Sequence, residues 1–89
     1  MQERDIVIGN RLGLHARAAA KLVQLLQGFR ASVWLLHRGR EINAKSIMGV
    51  MMLAAGQGSE LTVRADGDDA AAALAAVVDL FARKFDEGA

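Results

Sequence analysis

Arg4 to Gly9 alternates, with Ile6 and Ile8 on one face and Asp5 and Val7 on the other, which predicts a half-buried strand. Gly9 to Gly13 reads as a loop by its glycines and Asn10. From Ala16 to Gln27 the period changes. Ala19, Leu22, Val23 and Leu26 fall at i, i+3, i+4 and i+7 and mark one face of a helix, with Gly28 placed to follow its end. Ala31 to His37 returns to period two, Val33 and Leu35 pointing inward and Trp34 and Leu36 outward. Arg38-Gly39 makes a tight turn, and Arg40 to Asn43 pairs back as a short strand.

Ser46 is placed to cap a short helix over the apolar run Ile47 to Leu53. That run is apolar all round, so Ile47, Met48, Met51 and Met52 are expected to divide between the core and a partner-facing surface. Ser59 to Ala65 alternates again, with Leu61, Val63 and Ala65 inward and Glu60, Thr62 and Arg64 outward. Asp66-Gly67 turns the chain, and Asp68 or Asp69 caps a last helix. Its buried stripe reads Leu74, Val77, Val78, Phe81 and Phe85, with Arg83 and Lys84 in the last turns. The order β-α-β-β-α-β-α predicts an α+β fold of two layers. Helices cover one face of a mostly antiparallel sheet, and the other face is open and carries Val7, Trp34, Leu36 and Thr62.

The length of 89 residues, with 53% apolar and 24% charged, suits one folded domain over residues 1–89. No cysteine is present, which excludes disulfides, thiolate metal sites and a cysteine nucleophile. The charged start Met1-Gln2-Glu3-Arg4-Asp5 has no apolar signal core behind it. The longest apolar run, Ile47 to Ala55, falls far short of the roughly 20 residues a bilayer requires. No membrane insertion and a cytoplasmic location are therefore expected. Net charge is +1, but residues 1–50 hold eight basic against three acidic side chains, +5, and residues 51–89 hold three against seven, −4. This is either ordinary solvated surface or a basic face around His15 and Lys45 that meets acidic partners.

The chemistry concentrates at His15. It stands where the loop passes into the first helix, so the free N–H groups and positive dipole end of that helix face whatever the imidazole carries. An anion such as phosphate suits that position, with Arg17 two residues behind. The helix start should keep the ring neutral and nucleophilic near neutral pH. No second general acid/base, carboxylate pair or metal-ligand cluster is expected to accompany it, which points to a relay station more than to a self-sufficient enzyme. His37, the other histidine, ends a strand beside a turn and is expected to be exposed.

Gly13-Leu14-His15-Ala16-Arg17 resembles the active-site signature of the HPr family, the histidine-containing phosphocarriers of the bacterial sugar phosphotransferase system and their nitrogen-branch NPr relatives. Asn43-Ala44-Lys45-Ser46-Ile47-Met48-Gly49-Val50-Met51 resembles the family's second signature, around its regulatory serine. Length, spacing and element order agree, so the resemblance covers essentially the whole chain. It implies an HPr-like open-faced β-sandwich, βαββαβα, with a four-stranded antiparallel sheet and three helices on one face.

The resemblance further implies that His15, through Nδ1, accepts a phosphoryl group from phosphorylated enzyme I, which draws it from phosphoenolpyruvate. The group then passes to a histidine of a IIA protein or domain, with Arg17 assisting. Ala20 and Gln24 of the first helix and Ile47, Met48, Met51 and Met52 of the short helix would line the docking surface. Ser46 would be phosphorylated by an ATP-dependent HPr kinase/phosphorylase. No cofactor is implied, and the carrier would be a monomer that meets its partners transiently. The family usually has proline directly after the arginine, where this chain has Ala18. An extra N–H is then available and the helix start is less constrained; transfer is expected to survive.

Two other functions fit the sequence less well. A nucleic-acid-binding module would use the basic first half, but the sheet lacks stacking aromatics apart from Trp34, and a long basic stripe is missing. A purely regulatory relative of the family would typically have replaced the histidine, and His15 is present.

Overall fold

A computed structural model describes residues 1–87. Among them the alternating stretches form a four-stranded sheet of β1 (Gln2–Val7), β2 (Ser32–His37), β3 (Arg40–Asn43) and β4 (Glu60–Asp66). The spatial order is β1-β4-β2-β3, and every neighbouring pair is antiparallel. Register follows the hydrophobic pattern. Leu35 lies opposite Val63 and Ile42, Val33 opposite Ala65, and Ile6 opposite Leu61, so one face is continuously apolar. Three helices, α1 (Ala16–Leu26), α2 (Ile47–Met52) and α3 (Ala70–Ala82), cover that face. The result is the expected α+β open-faced sandwich.

The open face is stitched by polar cross-strand contacts. Arg64 pairs with Glu3 at 2.6 Å and Glu41 at 3.2 Å, and the Thr62 hydroxyl donates to Asp5 at 2.8 Å. Trp34 and Leu36 are half-buried among these side chains, whereas Val7 is exposed. The strand predicted from Arg4 begins at Gln2 instead, because pairing with β4 carries the polar residues Gln2 and Glu3 along the sheet edge. The Arg38-Gly39 turn is as read, both residues having positive φ, 51° and 79°.

Helix stripes shift by small amounts. In α1 the fully buried residues are Ala18, Ala19, Leu22 and Leu26, while Val23 is only half-buried. Gly28 follows the helix end without a positive φ; the chain leaves through tighter bonds from Gly28 N–H to Leu25 and from Phe29 N–H to Leu26. In α3, Leu80 is buried and Val78 half-buried. Phe85 is completely buried but lies beyond α3. Lys84, Phe85 and Asp86 each have φ between 54° and 61°, a left-handed turn that returns the Phe85 ring edge-on to Phe81 with centroids 4.8 Å apart. Arg83 and Lys84 therefore follow α3 instead of completing it, and Arg83 grips Asp79 and Asp86, each at 2.8 Å.

Asp69 precedes α3 but does not cap it through its side chain. Its two carboxylate oxygens accept the backbone N–H groups of Arg30, at 2.9 Å, and Ala31, at 2.7 Å, in the connection from α1 to β2. Ala31 is buried, and a buried N–H without a partner is costly, so the carboxylate is better used there than on its own helix. The Arg30 N–H bond is the main cause of a carboxyl pKa below its ordinary 3.8, with Ala31 and the Lys45 charge adding to it against desolvation.

A depressed folded-state pKa contributes stability that is present above 3.8 and lost as pH falls through the folded value. Asp69→Asn should therefore lower Tm at neutral pH, and the gap to the unsubstituted protein should narrow as acid protonates Asp69. Thermal unfolding followed by circular dichroism across the acid range measures both.

Candidate functional site

Gly13 sets the position of the site. Its φ is +64°, and a Cβ there would lie 2.5 Å from the Ala55 carbonyl oxygen and 2.7 Å from the Gly56 Cα. Only glycine allows the loop to lie this close to the segment that follows α2. Leu14 is then buried, and its N–H donates to the Ala55 carbonyl at 3.0 Å. The next residue is His15, the N-cap of α1, with extended backbone (φ −74°, ψ 175°). Its carbonyl accepts from the Ala19 N–H at 2.9 Å, and its side chain makes no capping bond. A quarter of that side chain is exposed.

The imidazole stands in a cleft of about 620 Å³ lined by Arg11, Leu12, His15, Arg17, Asp86 and Glu87. Arg17 is exposed and makes no ion pair among the described residues, so its guanidinium is available to an incoming anion. The N–H groups of the first turn of α1 lie at the same end. Ala18, where proline is usual, is buried at zero exposure, so its methyl belongs to the core and its backbone to that first turn.

Glu87 enters this site from the other end of the chain. Its Oε2 is 2.5 Å from His15 Nε2, and its Oε1 accepts from the Asn10 amide at 3.3 Å. Asn10 is fully buried and also donates to the Gly13 carbonyl at 2.8 Å. The His15 hydrogen bond is the largest influence on Glu87 and holds its carboxyl below the usual range, with Asn10 and the His15 and Arg17 charges acting the same way against desolvation. Lys21 of α1 donates to the Phe85 carbonyl at 2.8 Å and lies 3.6 Å from Asp86. Neither Glu87 nor Asn10 was singled out from the sequence. Asn10 carried only a loop signal, and Glu87 carried none, being 72 residues from the histidine it meets.

The short helix does not divide Ile47, Met48, Met51 and Met52 between core and surface as expected. Val50 and Leu53 are buried, whereas Ile47 (42% exposed), Met48 (70%), Met51 (40%) and Met52 (57%) all face outward. A single six-residue helix offers one face to the core, and none of the four occupies it. Leu12, 66% exposed, adds a further apolar side chain beside the cleft. Gln24 is exposed and Ala20 half-buried on α1. The Ser46 hydroxyl caps α2 as predicted, accepting from the Gly49 N–H at 3.1 Å, and the residue is half-buried.

Lys45 does not join a basic face with His15. Its ammonium donates to the Phe29 carbonyl at 2.8 Å, beyond the C-terminal end of α1, whereas His15 is at the N-terminal end. His37 is half-buried rather than exposed, with Nδ1 3.1 Å from the Glu60 carbonyl.

Comparison with known proteins places this geometry. The family model described as "PTS HPr component phosphorylation site" matches residues 2–83. The chain belongs to the HPr family. It is 53% identical to the phosphocarrier protein HPr of Cupriavidus necator, with 99% of each chain covered. It is 44% identical to the phosphocarrier protein NPr of Shewanella violacea, over 96% of this chain and 93% of that one. Among solved structures, an HPr from Thermoanaerobacter tengcongensis superposes with a TM-score of 0.94 at 45% identity, covering 98% of both chains. HPr membership supports a phosphocarrier role in the phosphotransferase system. No helix among the described residues is long and apolar enough to cross a membrane.

The Ser46 cap carries a measurable share of local stability. Ser46→Ala should cost about 1 kcal/mol, read as a lower urea midpoint with an unchanged slope.

Proposed function

We propose that the chain is a phosphoryl relay acting through His15. It takes the group from phosphorylated enzyme I and passes it to a histidine of a IIA protein or domain. What carries this reading is the placing of His15: a partly exposed N-cap imidazole in one cleft with Arg17, its Nε2 engaged by Glu87 and its Nδ1 without a partner among the described residues. In the uptake step the Nδ1 lone pair forms a bond to phosphorus. The donor's bond to phosphorus breaks, and its electron pair returns to the donor. The onward step repeats this with His15 as the leaving group. Little covalent chemistry is asked of the protein beyond positioning and charge stabilisation. Arg17 and the N–H groups of the first turn of α1 supply the positive field for the phosphoryl oxygens. The chain thus works as a carrier with a covalent intermediate, not as a stand-alone catalyst.

Ile47, Met48, Met51 and Met52, with Ala20 and Gln24, form the surface that partners cover. Exposed methionines suit a surface that must accept several shapes. Ser46 at the edge of this patch is the regulatory position, modified by an HPr kinase/phosphorylase. About two negative charges added there would have to be desolvated at any docked interface. The protein acts as one domain over residues 1–89 and as a cytoplasmic monomer. The polar stitching of its open sheet face leaves little apolar area there for self-association.

With enzyme I and labelled phosphoenolpyruvate, the protein should take up an acid-labile, alkali-stable label that His15→Ala abolishes. No label in the presence of active enzyme I would defeat the relay. Ser46→Asp should take up label from enzyme I about tenfold more slowly or worse, since an unpaired charge in an interface costs upwards of about 1.4 kcal/mol.

A further inference from the structure

The segment after α3 is the most strained in the described chain, and it delivers one functional group to one place. Three consecutive non-glycine residues, Lys84, Phe85 and Asp86, are left-handed. Such strain persists only where surroundings over-determine it. Here Phe85 is sealed in the core, Lys21 holds the Phe85 carbonyl, and Arg83 holds Asp86. The residue that emerges from this turn is Glu87, with one carboxylate oxygen on His15 Nε2 and the other on the buried Asn10 amide.

A carboxylate has only acceptor oxygens, so the shared proton is the ring's. We infer that Glu87 is a positioning residue for phosphoryl transfer: it keeps the ring proton on Nε2 and leaves Nδ1 as the nitrogen whose lone pair meets phosphorus. This rests on the reading of His15 as the phosphoryl acceptor. When Nδ1 forms its bond to phosphorus, the donor's bond breaks and its electron pair leaves with the donor. The ring keeps its Nε2 proton and becomes a phosphoimidazolium, so no proton has to move. Its new positive charge appears 2.5 Å from a carboxylate already in place. On the onward step the Nδ1–phosphorus bond breaks, and the ring returns to the neutral Nε2–H form. A carboxylate that holds one imidazole nitrogen while the other reacts is a general way of fixing tautomer and orientation. Asn10 orients Glu87 in turn, and the Gly13 carbonyl orients Asn10.

The test compares Glu87→Ala and Glu87→Gln with the unsubstituted protein, each first checked for an intact fold by its amide spectrum. Long-range proton–nitrogen correlation on ¹⁵N-labelled His15, at a pH where the ring is neutral, reads the tautomer without any partner. The unsubstituted protein should show an unprotonated Nδ1 and a slowly exchanging Nε2–H proton. Glu87→Ala should lose that proton signal to exchange and average its tautomers. Glu87→Gln can still accept the bond through its amide oxygen and should keep the signature. Single-turnover uptake from phosphorylated enzyme I should fall about tenfold or more in Glu87→Ala, with Glu87→Gln between the two. A folded Glu87→Ala with an unchanged ring spectrum, or with an unchanged uptake rate, would overturn the inference. Absence of label even in the unsubstituted protein would instead remove the relay, while the ring spectra would still decide where the proton sits.

Discussion

Gly13 has no side chain, and the site is built on that fact. The close approach of its backbone to Ala55 and Gly56 pins the loop that follows β1 to the segment that follows α2. Two functional features are then fixed by one contact. Leu14 is buried immediately afterwards, so His15 must emerge at the first turn of α1. The exposed face of α2 is held in a constant relation to that turn, because the Ala55 carbonyl that receives the Leu14 N–H lies just past the end of the helix. The proposed docking patch and reacting group could be engaged together only if such a link is rigid.

The left-handed segment closes the site from the opposite end of the chain. Three left-handed residues cost about 1–2 kcal/mol each, about 3–6 kcal/mol together. Burial of Phe85 returns about 1.5–3 kcal/mol, its edge-on contact with Phe81 about 0.5–1.5 kcal/mol, and the charged hydrogen bond from Lys21 about 1.5–3 kcal/mol. Cost and return are of similar size, so the turn is held by its three anchors and not by any preference of its own sequence. This also recasts the uneven charge of the chain. Part of the acidic second half meets the first half within the molecule, Asp86 through the Lys21 charge and Glu87 through a hydrogen bond with the His15 ring. Arg11 and Arg17 remain open to partners on the same rim.

Local chemistry was legible wherever one residue's neighbours in sequence were also its neighbours in space. Period-two alternation located β2 and β4 and the inward side chains Val33, Leu35, Leu61 and Val63. Loop glycines located the start of α1 at His15, and a serine before an apolar run located the cap of α2. Reading failed where a side chain chose a distant partner over a local one. Asp69 left its own helix for two N–H groups 38 and 39 residues away, and Lys45 left the expected basic face for the Phe29 carbonyl. Phe85 is buried as its place in the predicted stripe implies, but it lies beyond α3 and reaches Phe81 by a backbone route that helical periodicity does not anticipate. Glu87 was invisible for the same reason, since nothing near it in sequence implies a left-handed turn.

The placing of Ser46 constrains how a charge there could act. It caps the start of α2, whereas the loop that presents His15 is tied to the segment after the end of that helix. Six residues of helix span about 9 Å, about one Debye length at physiological ionic strength. Solvent screening over that length weakens the direct electrostatic influence of a Ser46 phosphate on whatever lies at the far end of α2. Its immediate neighbours are Ile47 and Met48, both exposed and apolar. Beside them a dianion is well solvated in the free protein and badly placed under a docked partner. A phosphate at the helix start is also locally favourable, so it need not disturb α2. Under the proposed reading, a phosphate at this position would weaken encounter while leaving the His15 ring itself intact.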